Sequence, residues 1–209
     1  MKQGSGQRSR ERRPPVPLGR AALEELALGY VARFATSAGR LELYLRRKLR
    51  ERGWAEGQSG GPEDAVVAIV ERAIANRYVD DAGFAQGRSR SLTRRGYGPR
   101  RVEAALREAG IAEDVRAAAR PDERRQRQAA LDMARKRGFA PFGKDEPDAS
   151  GDRSGYEMLA QSGARQDKQL AALLRAGHAF EIARTVLAFT SQAEAERWVD
   201  EAEDGDDRS

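Results

Sequence analysis

The chain has 209 residues, no cysteine and a formal net charge of +5, with 39% hydrophobic and 34% charged residues. A chain without cysteine cannot form disulfides or thiolate metal sites, and this composition is typical of a reducing compartment, so we expect a cytoplasmic location. No apolar run approaches the roughly 20 residues that a membrane-spanning helix needs, so no membrane association is expected.

The two ends of the chain carry opposite charges. Residues 1–20 contain six basic residues and one acid, whereas residues 200–209 contain six acids and one arginine. Neither segment has an apolar periodicity, so the sequence predicts a disordered basic arm at 1–20 and a disordered acidic tail at 200–209. The basic overall balance favours an acidic partner, either nucleic acid or an acidic protein surface.

The rest of the chain shows the apolar periodicity of amphipathic helices. Apolar residues recur at helical spacing in 41–49, 66–74, 99–109 and 170–174. No segment keeps the alternation of apolar and polar residues that marks a half-buried strand. We therefore predict an all-α fold, in which the glycine- and proline-rich stretch near 138–166 forms an irregular insertion.

A short repeat divides the helical part of the chain. Three helices are predicted to end with a glycine followed by a bulky residue that packs back on the last turn. These pairs are Gly53-Trp54, Gly110-Ile111 and Gly177-His178. The recurrence predicts three tandem helical modules in a row. Their predicted boundaries are 21–62 for the first, 63–120 for the second and 121–199 for the third.

The sequence offers no recognisable active site. The sole histidine, His178, stands where the other copies of the repeat carry Trp54 and Ile111, so we expect it to pack or to cap rather than to bind a metal. Segment 138–145 resembles a P-loop, but Asp145 replaces the final Ser or Thr and no strand is predicted before it. We therefore predict a protein that is not an enzyme and needs no metal or cofactor.

An arginine run is the strongest charge feature of the chain. No acid lies between Asp81 and Glu103. Six arginines in this stretch are the candidate partner-binding residues: Arg88, Arg90, Arg94, Arg95, Arg100 and Arg101. Guanidinium groups without compensating acids suit carboxylates or phosphates, which arginine can hold with two hydrogen bonds. The alternative interpretation is a solvated helix face in an arginine-rich protein.

Residues 77–111, RYVDDAGFAQGRSRSLTRRGYGPRRVEAALREAGI, resemble the signature of the RecX family. In that signature Tyr-hydrophobic-Asp-Asp is followed by Phe-Ala, a basic stretch, Gly-x-Gly-Pro, a helix and Gly-Ile. Its structural positions fall on Asp80, Asp81, Phe84, Gly96, Gly98, Pro99, Gly110 and Ile111. The aspartates suit the start of one helix, and the proline suits the first position of the next.

The resemblance spans about 25–190 and implies an elongated, curved array of three-helix modules. In this family such an array lies in the groove of the RecA recombinase filament on single-stranded DNA. There the protein would hinder filament extension and lower ATP hydrolysis, strand exchange and co-protease activity by RecA. We expect a monomer that contacts RecA and the single-stranded DNA within the filament. The alternative is a helical DNA-binding module that acts on nucleic acid without RecA.

Overall fold

The computed structural model describes residues 16–57, 59–143 and 155–202, with the backbone alone for 155–162. Helices and no strands occur in these ranges, which confirms the predicted all-α fold. The helices are α1 (Arg20–Val31), α2 (Ala38–Arg52), α3 (Pro62–Ala75), α4 (Asp81–Arg94), α5 (Pro99–Glu108), α6 (Glu113–Ala118), α7 (Glu123–Arg137), α8 (Gly155–Arg175), α9 (Phe180–Ala188) and α10 (Gln192–Asp200).

Several sequence-based expectations fall outside the described residues. They concern most of the basic arm (1–15), most of the acidic tail (203–209) and the segment 144–154, which includes Asp145 of the P-loop-like stretch. Within the described ranges no helix is both long and apolar enough to cross a membrane.

The first compact unit ends at Val79 and contains α1, α2 and α3. Helix α1 contributes Leu23 to its core, α2 contributes Leu41 and Leu45, and α3 contributes Val66 and Ile69. Each of these side chains is at most 5% exposed. Burying a side chain of this size stabilises a fold by about 1.5–3 kcal/mol, so the apolar stripes of the three helices account for their packing together.

Helix α3 shares its core with α1 and α2, whereas the sequence-based boundary at 62/63 grouped it with the second module. The segment Gly60-Gly61-Pro62, at this boundary, has the composition of a linker. In the structure it is a loop between two packed helices, in which Gly60 has a φ of +81° and Pro62 begins α3. Turn chemistry alone does not distinguish a loop within a module from a linker between modules.

The second unit begins at Asp80 and contains α4 to α10. Asp80 caps α4, because its Oδ1 accepts a hydrogen bond from the backbone N–H of Gly83 at 2.9 Å. Phe84, one turn later, is half-buried against the core that α4, α5 and α6 share. Pro99 is the first residue of α5, where its missing N–H removes no helical hydrogen bond. The local signals at both helix starts therefore fold as the sequence indicated.

The described residues of 121–143 and 155–202 form four helices around two adjoining cores. Phe139, just after α7, packs against both cores. Helix α8 already begins at Gly155, so 155–166 is helical and not part of the irregular insertion predicted near 138–166. Gly163 lies inside this helix, and a single glycine there costs about 1 kcal/mol relative to alanine without ending the helix.

Two of the three predicted glycine endings have the same geometry. The N–H of Ile111 donates to the Leu106 carbonyl at 3.1 Å, and the N–H of His178 donates to the Leu173 carbonyl at 3.2 Å. Both glycines before them have positive φ, 73° at Gly110 and 95° at Gly177. A glycine in this conformation turns the chain so that the next residue packs back on the helix, as the repeat predicted.

The first ending differs from the other two. Gly53 has a φ of 80°, but its carbonyl accepts a hydrogen bond from the N–H of Leu18 at 2.9 Å. The Leu18 carbonyl in turn accepts from the N–H of Ala55 at 3.0 Å, so Trp54 is bridged to the segment before α1. Leu18 is fully buried. These backbone hydrogen bonds therefore hold the start of the first unit against the end of α2.

The turn between α4 and α5 touches the turn between α8 and α9 backbone to backbone. The N–H of Gly98 donates to the Ala176 carbonyl at 3.0 Å, and the N–H of Arg100 donates to the Gly177 carbonyl at 3.1 Å. A Cβ on Gly98 would lie 2.4 Å from the carbonyl carbon and oxygen of Gly177. Only glycine permits this approach, so the Gly-x-Gly-Pro segment forms a joint between the second module and the helices that follow. We call this contact the glycine joint.

His178 completes the glycine joint as a fully buried side chain. Its Nε2 lies 3.0 Å from the Gly96 carbonyl oxygen, so the tautomer with hydrogen on Nε2 donates to that carbonyl. Nδ1 is buried and has no hydrogen-bond partner among the described residues. Burial lowers the pKa of His178, and the hydrogen bond to Gly96 opposes this only in part. His178 is therefore a neutral packing and capping residue.

We expect the second unit to lose stability in mild acid because of His178. The unfolded chain protonates this imidazole near its ordinary pKa of 6.5, whereas the folded protein does so only at a lower pH. The free energy of unfolding is therefore highest above pH 6.5 and falls as the pH drops from there to the lowered pKa. Urea unfolding between pH 8 and pH 5 should show this fall, and His178→Gln, which keeps an N–H donor, should flatten it. Parallel curves for the two proteins would contradict this assignment.

Candidate functional site

The six predicted arginines occupy three kinds of surroundings on α4 and α5. Arg88 is half-buried on α4, and its Nε is buried without a hydrogen-bond partner among the described residues. Arg95 ends α4 and lies with its guanidinium carbon 5.5 Å from the centre of the Tyr97 ring. The remaining four are solvent-exposed: Arg90, Arg94, Arg100 and Arg101.

Arg90 and Arg94 line a groove of about 560 Å³ between α4 and α7, which is also lined by residues 118–121. Arg120 and Arg125 line the same groove, and Asp132 is the only carboxylate that the described residues contribute to its lining. Four arginines against one acid give the groove a strong positive potential, since like charges held together in a concave surface reinforce one another. We call this surface the arginine groove.

The neighbouring acids leave most of this charge uncompensated. Asp132 accepts a hydrogen bond from Gln128 Nε2 at 2.8 Å, and Arg125 Nε lies 3.2 Å from a carboxylate oxygen of Asp122. No acid in the described ranges forms an ion pair with Arg90 or Arg94. The two arginines predicted from sequence are therefore available to a partner.

The bottom of the arginine groove is polar as well as basic. Ser89 and Thr93, one turn apart on α4, are 5% and 9% exposed and line the groove. Thr93 Oγ1 is buried without a hydrogen-bond partner among the described residues. An unsatisfied buried hydroxyl costs about 1–3 kcal/mol, so an oxygen-bearing ligand that reaches it would gain a hydrogen bond in addition to the arginine contacts.

A second groove continues the basic surface around α5. It has a volume of about 580 Å³, and its charged lining consists of three arginines, Arg100, Arg116 and Arg120, and two glutamates, Glu103 and Glu113. Arg116 Nε is held by Glu103 at 2.6 Å, whereas Arg120 lines this groove as well as the arginine groove. Arg120 therefore connects Arg100 to the arginines of α4. Arg95 and Arg101 line neither groove.

Sequence reasoning missed Arg120 and Arg125. Both lie beyond the acid-free stretch, in a segment where acids and arginines alternate in the sequence. The balanced charge of this segment gave no signal, although in the structure only Arg125 is paired with one of these acids, Asp122. Only the packing of α7 against α4 brings these two arginines to the same groove as Arg90 and Arg94.

The described residues hold no group of three or more His, Asp or Glu side chains placed to bind a metal ion. Gly138 of the P-loop-like stretch is the left-handed cap of α7, with a φ of 62°, and follows a helix instead of a strand. The segment before it thus lacks the strand that precedes a P-loop.

Comparisons with known proteins agree on one family. The family description "RecX, second three-helix domain" matches residues 80–119, the segment that forms α4, α5 and α6. The chain is 30% identical over 193 residues to a regulatory protein RecX of Myxococcus xanthus, covering 88% of this chain and 95% of the relative. It is also 30% identical over 155 residues to a regulatory protein RecX of Agrobacterium fabrum, covering 72% and 76%.

A solved structure supports the same fold. The crystal structure of RecX from Lactobacillus salivarius superposes with a TM-score of 0.57 and 17% sequence identity, covering 85% of this chain and 97% of the other. The match extends over nearly the whole of that protein and places the all-α, modular architecture described above among known folds.

Proposed function

Because the chain belongs to the RecX family of regulatory proteins, we propose that it binds the RecA filament on single-stranded DNA and restrains it. Binding would inhibit filament extension, ATP hydrolysis, strand exchange and co-protease activity by RecA. The protein would act in the cytoplasm, as a monomer, and without chemistry of its own.

The arginine groove is the observation that carries this proposal. Arg90 and Arg94 are exposed and lack acidic partners among the described residues, and Arg120 and Arg125 face them across the groove. Hydrogen bonds to charged groups contribute roughly 1.5–3 kcal/mol each, so four arginines can provide much of the affinity for a surface of carboxylates or phosphates. A nucleoprotein filament offers both kinds of group.

The proposed inhibition requires only binding. A protein that binds one arrangement of the filament more tightly than another shifts the filament toward that arrangement. Arg100 and Arg101 lie at the start of α5, whose position is fixed by the glycine joint through the hydrogen bond from Arg100 N–H to Gly177. The basic surface is therefore held by rigid backbone contacts, which limits the entropy lost on binding.

We expect the protein to lower the rate of ATP hydrolysis by RecA on single-stranded DNA in a saturable manner. The measurement is a titration of the protein into RecA and poly(dT), at fixed salt, with phosphate release as the readout. In parallel, the affinity of the protein for the same DNA without RecA should be much weaker than for the filament, since a filament offers protein and DNA contacts together.

Two outcomes would count against this proposal. An unchanged rate of hydrolysis at saturating protein would remove it altogether. Equal affinity for bare DNA and for the filament would favour the alternative, a DNA-binding module that acts without RecA.

A further inference from the structure

The first unit carries an aromatic cluster that no sequence motif indicated. Tyr30 of α1 and Tyr44 of α2 stack with ring centroids 4.2 Å apart and ring planes 14° apart. Phe34, just beyond α1, lies with its ring centroid 5.3 Å from that of Tyr30. Phe34 is 56% exposed, although a phenylalanine that serves the core would be buried.

Basic side chains on α2 lie beside the two stacked tyrosine rings. Arg40, Arg47 and Arg50 line a shallow groove of about 390 Å³ together with Tyr30 and Tyr44. Their spacing along the helix places them within two or three turns on one side. Leu43 lines the same groove and is 57% exposed. We call this surface, together with Phe34 next to Tyr30, the aromatic–arginine patch.

Arg47 and Arg50 of the patch keep positive charge after their ion pairs with described acids are counted. Arg47 Nε lies 3.6 Å from Glu51 Oε1, but Lys48 Nζ lies 2.7 Å from the other carboxylate oxygen of the same residue. One carboxylate is therefore shared by two cations. Arg50 forms no ion pair with any acid in the described part of the chain. The Arg47 guanidinium carbon is also 5.6 Å from the Tyr44 ring centroid, a distance at which a cation is attracted to the ring face.

We propose that the aromatic–arginine patch binds single-stranded DNA, with a base stacked on Phe34 and phosphates held by Arg47 and Arg50. Surfaces that bind single strands without sequence preference combine aromatic rings for base stacking with a positive groove for the backbone. An acidic peptide would use the arginines but not the exposed ring, and duplex DNA hides its base faces. Single-stranded DNA uses both features of the patch.

This site lies in the first unit and needs no RecA, so it is separate from the proposed use of the arginine groove. Stacking of one base strengthens binding by about 5- to 150-fold when measured by alanine substitution. Non-specific binding through phosphates alone typically has dissociation constants of about 10⁻⁴ to 10⁻⁶ M at physiological salt. We therefore expect affinity in or near this range for the bare strand.

The test measures binding of the full chain to fluorescein-labelled oligodeoxythymidylate by anisotropy, without RecA. Phe34→Ala should weaken binding at least fivefold, whereas Phe180→Ala, which truncates a 48% exposed phenylalanine in the second unit, should leave it unchanged. Arg47→Glu should weaken binding and reduce its salt dependence. The matched control for Arg47→Glu is Arg184→Glu. Arg184 is also exposed, and its Nη2 lies 3.5 Å from Oε2 of Glu181, a glutamate on the same helix.

Three results would overturn the proposal. If Phe34→Ala and Phe180→Ala bind DNA equally well, or if an abasic strand of the same length binds the wild type as tightly, then no base stacks on the patch. If a polyglutamate peptide binds the patch more tightly than the oligonucleotide does, the ligand is an acidic protein segment. Melting curves of all four variants guard against unfolding. Inhibition of RecA ATP hydrolysis is measured separately, so this proposal and the proposed function can fail independently.

Discussion

The double substitution Arg90→Glu, Arg94→Glu is expected to weaken inhibition of RecA ATP hydrolysis by at least a hundredfold while leaving thermal unfolding almost unchanged. Each reversal removes a charge-assisted contact of roughly 1.5–3 kcal/mol, which corresponds to about tenfold or more in affinity, and adds repulsion. Both side chains are exposed and form no ion pair with a described acid, so their contribution to stability should stay within about 0.5 kcal/mol. Inhibition titrations and melting curves on the same preparations provide the measurement.

A control with the same change in net charge is Arg184→Glu, Arg197→Glu, on α9 and α10. Both arginines are exposed and line none of the basic grooves described above. This variant should inhibit nearly as well as the wild type. If the Arg90/Arg94 variant also inhibits normally, the arginine groove is a solvated surface and the contact to the filament lies elsewhere. If it melts early, the exposed placement of these arginines is incorrect.

Gly98→Ala is expected to destabilise the second unit by about 3 kcal/mol or more. The new methyl group would lie 2.4 Å from the carbonyl carbon and oxygen of Gly177 and from the N–H nitrogen of His178, all backbone atoms that cannot rotate away. Inserting an atom into a packed contact costs about 1–3 kcal/mol, and more where the neighbours cannot move. Gly98 has a φ of −80°, which alanine adopts freely, so the effect would be purely steric. Denaturant unfolding gives the measurement.

The matched control for this substitution is Gly87→Ala, in the middle of α4. A Cβ at Gly87 would have no described atom within 4 Å apart from its chain neighbours and the backbone of its own helix, and alanine is the better helix former by about 1 kcal/mol. This variant should be slightly more stable than the wild type. Equal stability of the Gly87 and Gly98 variants would mean that the turns of the glycine joint do not approach as closely as described.

Local features of the fold were predictable from the sequence because their causes are local. The cap at Asp80, the helix start at Pro99 and the left-handed endings at Gly110 and Gly177 each follow from the conformational preference of one residue. The packing role of His178 was predictable from its place in the repeat. Family membership rested on the same kind of local pattern, extended over the 77–111 stretch.

Features that depend on contacts distant in sequence were not predictable. Pattern alone could not assign α3 to the first unit, because its apolar stripe fits any neighbouring helix. The arginine groove combines Arg94 with Arg120 and Arg125, which only the packing of α7 against α4 brings near. The aromatic cluster joins Tyr30 and Tyr44 from separate helices. The distribution of charge along the sequence reveals neither the core shared by α3, nor the arginine groove, nor the aromatic cluster.

The glycine joint also has a consequence for how the chain folds during synthesis. The first unit has every residue of its core once Val79 has emerged from the ribosome. The Gly96 carbonyl, by contrast, receives its hydrogen bond only from His178, 82 residues later. Helices α4 to α6 are therefore synthesised well before the turn at His178 on which they dock. Bringing together two segments so far apart in the sequence costs conformational entropy and slows folding. Pulse proteolysis of stalled chains should find the first unit protected first, and the second unit fully protected only after α10 has emerged.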